Sequence, residues 1–175
     1  MKTIKLISAL TLGIIISSCS KTDTKTATTS TYSFEYTLDG TPYSWSGGAP
    51  TSTTTAQCVA FIIGGDCSLV GVRDNLNGPN RFPQLTANFP AKVGSYVMDL
   101  NSSQPPNNMF TSVLFSQTKS ASSIGGKITF NVTDCPTGLN SHITGNFSGN
   151  LAEIVGSTIV MHPITGKFDA CNLTP

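Results

Sequence analysis

The stretch GKITFNVTD, residues 126–134, alternates apolar and polar side chains one by one, with Phe130 at its centre. A second stretch, ITGNFSGNL at 143–151, repeats the alternation around Phe147. A period of two is the pattern of a β-strand that buries one face and wets the other. Both phenylalanines are therefore expected in the core of a sheet whose opposite face carries Thr, Asn and Ser. That polar face is either simply solvated or a binding surface.

The same period extends through most of the chain, starting with residues 32–38 and the turn signal Asp39-Gly40. Shorter strand-like runs, separated by Gly, Pro and Asn, lie at 43–45, 56–63, 67–72, 84–89, 95–100, 109–115, 158–161 and 164–168. No twelve-residue stretch carries a helical period without breakers. The pattern predicts an all-β domain over residues 32–175, with about ten or eleven strands and almost no helix. Its architecture would be an antiparallel β-sandwich or a flattened barrel.

The first 18 residues have the composition of a secretory signal. Lys2 and Lys5 precede an apolar run at 6–16, which is shorter than the roughly 20 residues that a membrane-spanning helix needs. Small residues, Ser17 and Ser18, then precede Cys19. The alternative is an ordinary secretory signal that a cysteine follows by chance.

Ile16-Ser17-Ser18-Cys19 resembles a bacterial lipobox, with Ile in place of the usual Leu three residues before the cysteine. The resemblance implies cleavage before Cys19 and acylation of that cysteine, whose acyl chains would hold the protein to a membrane. Residues 19–31 would then be the acylated cysteine and a flexible Ser/Thr-rich tether. The expected location is the outer membrane, with the domain facing the periplasm or the cell surface.

The charge balance argues against a nucleic-acid partner. Removal of Lys2 and Lys5 with the signal leaves eight basic against nine acidic residues. Such a chain has no basic footprint for a phosphate backbone, so solubility depends on its Ser, Thr and Asn side chains.

An even number of cysteines in an exported domain suggests two disulfides. The four candidates are Cys58, Cys67, Cys135 and Cys171. Three connectivities are possible, and Cys58–Cys67 with Cys135–Cys171 is preferred because it joins nearby residues and ties down the C-terminus. A two-residue turn at Gly64-Gly65 would oppose the first pair, since it sets Cys67 against Ile62. The spacings are too long for a zinc site.

We find no sequence pattern for catalysis. Ser116-Gln117-Thr118-Lys119 matches the Ser-x-x-Lys of penicillin-recognising enzymes, but its companion motifs are missing from the domain. His142 and His162 enter strands, and the acidic residues are dispersed. The segment 74–80 resembles a calcium loop, but an apolar Leu76 stands where an oxygen ligand is needed. We therefore expect no enzyme, no catalytic residue, no metal and no cofactor.

Tyr43 and Trp45 are the one candidate ligand-binding pair. They share a face of an early strand beside Gly47-Gly48, where exposed aromatic rings can stack on sugars. The alternative is that both rings belong to the core.

Three segments together resemble the small uncharacterised lipoproteins of Bacteroidota. They are FEYTLDGTPYSW at 34–45, GKITFNVTD at 126–134, and ITGNFSGNL at 143–151 followed by ITGKFDA at 164–170. The resemblance implies a β-sandwich of unknown function in the cell envelope. The expected function is a non-enzymatic module that binds a glycan or a protein. The alternative is a structural accessory subunit of an outer-membrane complex.

Overall fold

A computed structural model describes residues 31–48, 58–72, 82–99 and 109–174. Three quarters of these residues lie in ten strands and none lies in a helix. The predicted all-β class and strand number are confirmed. The signal, Cys19, nearly all of the tether and the 74–80 loop lie outside the described residues.

The strands follow one another with short connections where the chain is described. They are β1 (Tyr32–Leu38), β2 (Thr41–Gly47), β3 (Cys58–Ile63), β4 (Asp66–Gly71), β5 (Gln84–Pro90), β6 (Gly94–Asp99), β7 (Phe110–Leu114), β8 (Ser120–Asp134), β9 (His142–Val155) and β10 (Thr158–Asn172).

One predicted break is absent. The runs 158–161 and 164–168 belong to a single strand, β10, which continues through Pro163 with an unbroken register against β9. Proline is tolerated there because its missing N–H would face away from β9. The Pro163 carbonyl on that same side accepts a hydrogen bond from Asp39 N–H at 3.0 Å.

All ten strands form one hydrogen-bonded sheet that folds back on itself as a flattened ring. Its larger layer has the order β2-β1-β10-β9-β8-β6, and its smaller layer the order β3-β4-β5-β7. The layers join at two corners. At one corner β3 pairs with Cys171 and Asn172 of β10, the only parallel pairing among the described strands, and at the other β7 pairs with residues 120–122 of β8.

The core lies between the layers and is rich in aromatic rings. Phe130 and Phe147 are 0% and 1% exposed, and their ring centroids are 5.0 Å apart. Phe89 of the smaller layer lies 5.5 Å from Phe130 and 6.1 Å from Phe168. The prediction that Phe130 and Phe147 face inward is confirmed.

The expected Cys58–Cys67 disulfide is wrong. Gly64-Gly65 is the two-residue turn between β3 and β4, which places Cys67 opposite Ile62 and Cys58 opposite Gly71. The two cysteines are offset by four residues along the strands, about 13 Å. A disulfide requires Cα atoms within about 7 Å.

The expected Cys135–Cys171 disulfide is absent as well. Asp134 of β8 pairs with Thr144 of β9, while Cys171 of β10 pairs with His142 on the other side of β9. An intervening strand separates the two cysteines by about two strand spacings, roughly 9.5 Å. All four cysteines of the described residues are free thiols, and three of them are buried.

Candidate functional site

The two aromatic residues proposed as a ligand platform belong to the inner side of the sheet. Trp45 is 9% exposed and stacks on Phe34 at 5.4 Å. Tyr43 is half-buried and stacks on Tyr36 at 5.1 Å. The two-residue turn at 39–40 fixes this arrangement, because it sets Trp45 opposite Phe34 and Tyr43 opposite Tyr36. The Asp-Gly turn signal was sufficient to predict this pairing.

The outer side of the larger layer is a broad surface of Ser, Thr and Asn side chains, which we call the polar face. Its central row crosses all six strands of the layer in register: Ser44, Glu35, Lys167, Asn146, Asn131 and Ser95. The next row runs in parallel: Pro42, Thr37, Thr165, Ser148, Thr129 and Val97. The polar face also includes Ser33, Lys127, Thr133, Thr144, Asn150 and Asp169. Every side chain of these rows is exposed or half-exposed.

Cross-strand contacts hold these side chains in fixed positions. Asn131 Nδ2 donates a hydrogen bond to Asn146 Oδ1 at 3.0 Å, and the Thr133 and Thr144 hydroxyls are 2.8 Å apart. Lys167 Nζ lies 3.0 Å from Glu35 Oε2. Because neighbouring strands are about 4.8 Å apart and same-face residues about 6.8 Å apart, the polar face is a regular grid of hydroxyl and amide groups.

Three shallow clefts lie along the polar face. The first, about 400 Å³, lies between the Glu35–Lys167 ion pair and Pro42. The second, about 350 Å³, lies beside Ser148 and Thr165, and the third, about 360 Å³, beside Thr144 and Asp169. Hydroxyl, amide and charged side chains contribute to their linings, together with apolar groups of Tyr43, Ile164 and Phe168.

A buried ionic cluster, which no sequence pattern predicts, lies at the end of the layer where β1 turns into β2. His162 is 7% exposed; its Nδ1 lies 2.7 Å from Asp39 Oδ2 and its Nε2 lies 3.0 Å from Glu153 Oε2. Lys119 Nζ approaches the same Glu153 oxygen at 3.4 Å. Residues 39 and 162 are 123 positions apart, so no local spacing could have linked them.

The ionic cluster is built for structure and lacks the parts of a catalytic site. Both ring nitrogens of His162 face carboxylates, so neither is available to take a proton from a nucleophile. Lys119 pairs with Glu153 and lies over the Phe115 ring at 5.2 Å, while the Ser116 hydroxyl accepts a bond from Thr118 N–H. The Ser-x-x-Lys match is therefore part of a turn.

His142 has a single carboxylate partner. Its Nδ1 lies 2.6 Å from Asp169 Oδ1, and its ring stacks on Tyr32 at 4.4 Å.

Within the described ranges, no group of three His, Cys, Asp or Glu side chains is arranged to hold a metal ion. None of the described segments forms a helix long and apolar enough to cross a membrane.

No family model, no curated protein and no solved structure matches the chain.

Proposed function

We propose that this protein is a membrane-anchored envelope lipoprotein of the Bacteroidota type, and that its β-sandwich is a non-enzymatic binding module. The polar face is the proposed binding surface, and a glycan is the proposed ligand. The single observation that carries this proposal is the in-register row of hydrogen-bonding side chains across six strands, in which the only charged members are the paired Glu35 and Lys167, flanked by three clefts.

The chemistry of the polar face suits sugar hydroxyls. Asn amides and Ser/Thr hydroxyls both donate and accept hydrogen bonds, as sugar hydroxyls do, and charges are few among them. Cross-strand hydrogen bonds such as Asn131–Asn146 restrict the rotamers before a ligand arrives, which reduces the entropy lost on binding. Bridging waters would complete the contacts on so open a surface.

Paired variants test the proposal. Asn131→Ala with Asn146→Ala removes a hydrogen-bonded pair from the centre of the polar face. Ser68→Ala with Asn88→Ala removes a similar pair, at 2.7 Å, from the smaller layer. We expect the first double variant to weaken polysaccharide binding, detected on a glycan array and measured by calorimetry, by about tenfold or more. The second should bind as the wild type does.

Two outcomes would contradict the proposal. Equal losses in both double variants would show that the polar face has no special role. Unchanged binding in the first variant would place the ligand elsewhere. Urea unfolding of each variant separates loss of binding from loss of fold, since all four positions lie outside the core.

A further inference from the structure

The β9–β10 hairpin ends in an apolar tip that solvent surrounds. We define the hairpin tip as residues 154–161, IVGSTIVM, which contains no charged residue. Ile154 is 69% exposed, Ile159 59% and Met161 49%, and Val155 and Val160 on the other face of the hairpin are exposed too. Contiguous exposed apolar groups of this kind mark interaction sites on soluble domains.

The hairpin tip also presents a free backbone edge. The Pro163 carbonyl faces β1, where it accepts the hydrogen bond from Asp39. The register of β10 against β9 is unbroken from Thr158 to Cys171. By alternation, the N–H and C=O of Met161 and Ile159 face the same way as those of Pro163. β1 ends at Leu38, opposite Ile164, so no described strand pairs with this part of the edge.

We propose that this edge pairs with the same edge of a second copy of the chain, antiparallel and centred on Val160. In this register Ile159 of one copy lies opposite Met161 of the other. In each of these two Ile159–Met161 pairs, both N–H groups donate to the C=O of the facing residue. The pairing therefore uses all four outward N–H groups and all four outward C=O groups of the two copies. Val160 faces its own counterpart across the twofold axis.

Neighbouring registers leave some of these outward N–H and C=O groups without a partner. A centre at Met161 sets Ile159 against Pro163, which has no N–H to donate. A centre at Ile159 sets Met161 against Ser157 of the turn. The Val160 register is the one that uses every outward group, and it brings no like charges together because the segment carries none.

A second copy also suits the tip better than a lipid bilayer does. In hydrocarbon, the free N–H and C=O groups of Ile159 and Met161 would stay unsatisfied, at a cost of several kcal/mol each. A paired edge satisfies them and sets the Ile159 and Met161 side chains of the two copies side by side. The hairpin is pre-organised for this, because His162 is tied to Glu153 of β9 and to Asp39 at the base of the tip.

Cysteine cross-linking at the twofold axis tests the pairing. A directly opposed, non-hydrogen-bonded pair has Cα atoms about 4.5 Å apart, within the range of a disulfide. In the full chain, Val160→Cys oxidised with a mild disulfide reagent should give a species of twice the monomer mass that a reductant abolishes. Ile63→Cys, at a residue that is 75% exposed in the smaller layer, should give none above the wild-type background.

A second variant tests the backbone hydrogen bonds of the edge separately from its apolar side chains. Ile159→Pro deletes one outward N–H in each copy but leaves the bonds to β9, so the monomer should fold normally. Loss of two of the four intermolecular hydrogen bonds should weaken self-association roughly tenfold to thirtyfold in co-purification of two differently tagged full chains. Three results would each overturn the proposal: no Val160→Cys cross-link, unchanged association of Ile159→Pro, or capture of a different protein at Val160→Cys in place of the chain itself.

Discussion

Single residues on opposite faces of one strand differ sharply in their surroundings. Phe130 and Phe147 are buried and stacked on each other, whereas Thr129 and Ser148, one position along, lie on the polar face. Phe130→Ala or Phe147→Ala should lower the free energy of unfolding by about 3–5 kcal/mol, through lost transfer energy and a cavity.

The matched controls for these changes are Thr129→Ala and Ser148→Ala, which should cost under about 1 kcal/mol. Urea unfolding measures all four variants on one scale. Similar losses in the two sets would mean that the inward and outward faces of β8 and β9 are assigned the wrong way round.

Gly166 is needed for close packing and not for a turn. A Cβ atom there would lie 2.5 Å from the Glu35 carbonyl oxygen and 2.6 Å from the Phe147 ring. Gly166→Ala should therefore destabilise the domain by about 1–3 kcal/mol through overpacking. Gly138, which has open space around its Cα, supplies the control: Gly138→Ala should leave the midpoint of thermal unfolding within a degree or two, and an equal drop in both variants would remove the packing argument.

The residue pattern predicts which face a side chain takes, but not which group lies against a glycine. A Cβ at Gly145, two residues before Phe147, would meet Phe168, a ring from the neighbouring strand of the same layer. A period of two tells which way a side chain points, but not whether its ring reaches across the layer or along it.

Among the elements, hairpins with two-residue turns were the most predictable. Asp39-Gly40 and Gly64-Gly65 both form turns with positive φ, and each fixes the register of its strands. The sequence pattern also predicted the disulfides from proximity along the chain, and there it failed. In a β-hairpin the register decides which residues lie opposite each other. Cys67 lies opposite Ile62, four residues from Cys58, so the two cysteines are too far apart although they are close in sequence.

The ionic cluster ties four parts of the chain together at the base of the β9–β10 hairpin: the β1–β2 turn, the β7–β8 connection, β9 and β10. Removing the imidazole leaves the Glu153 carboxylate, 8% exposed, with Lys119 as its one remaining ion-pair partner in the cluster. His162→Ala should cost about 3 kcal/mol, because a buried charge loses its nearest partner. His142→Ala removes the side-chain contact with Asp169, which is about one-third exposed, and should cost about 1 kcal/mol or less. Chemical denaturation at neutral pH compares the two, and a larger loss at His142 would show that the cluster contributes little.

At the scale of the whole molecule, the sequence predicted the all-β class but not how the sheet closes into a flattened ring. β10 touches β9 along one edge and both β1 and β3 along the other. The pairings with β1 and β3 join residues more than a hundred positions apart, and an apolar alternation is compatible with many such pairings. β10 can pair with three neighbouring strands because it is fifteen residues long. The sequence pattern predicted two shorter strands separated at Pro163, and so did not predict these pairings.

Buried thiols couple the stability of the whole domain to pH. Burial, with a smaller contribution from Cys135, raises the pKa of the Cys67 thiol from its ordinary 9.0 to about 12, and burial also raises that of Cys58. Above about pH 9 the unfolded chain releases these protons while the folded chain keeps them. Stability is therefore full below pH 9 and falls as the pH rises toward 12, by up to about 1.4 kcal/mol per pH unit per thiol.

Urea unfolding at about pH 8 and about pH 10 measures this slope, and Cys67→Val should flatten it.

Alkylation of the native protein should modify Cys135, which is half-buried, well before the three buried cysteines. A non-reducing peptide map with linked cysteines would contradict the free thiols, and a pH-independent stability would contradict their burial in the reduced form.

The proposed anchor holds the whole domain in the envelope through one residue, Cys19. Two or three acyl chains hold a protein firmly, because each buried CH₂ contributes about 0.8 kcal/mol, and the described residues provide no helix that could replace them. Cys19→Ala in the full chain should abolish metabolic labelling with a fatty acid and release the protein from membranes washed with high salt. Cys135→Ala, which removes a thiol from the folded domain, should leave both labelling and membrane association unchanged. Persistent membrane association of unlabelled Cys19→Ala would refute the lipoprotein proposal, whereas its release with an unchanged urea midpoint would show that the domain folds independently of its anchor.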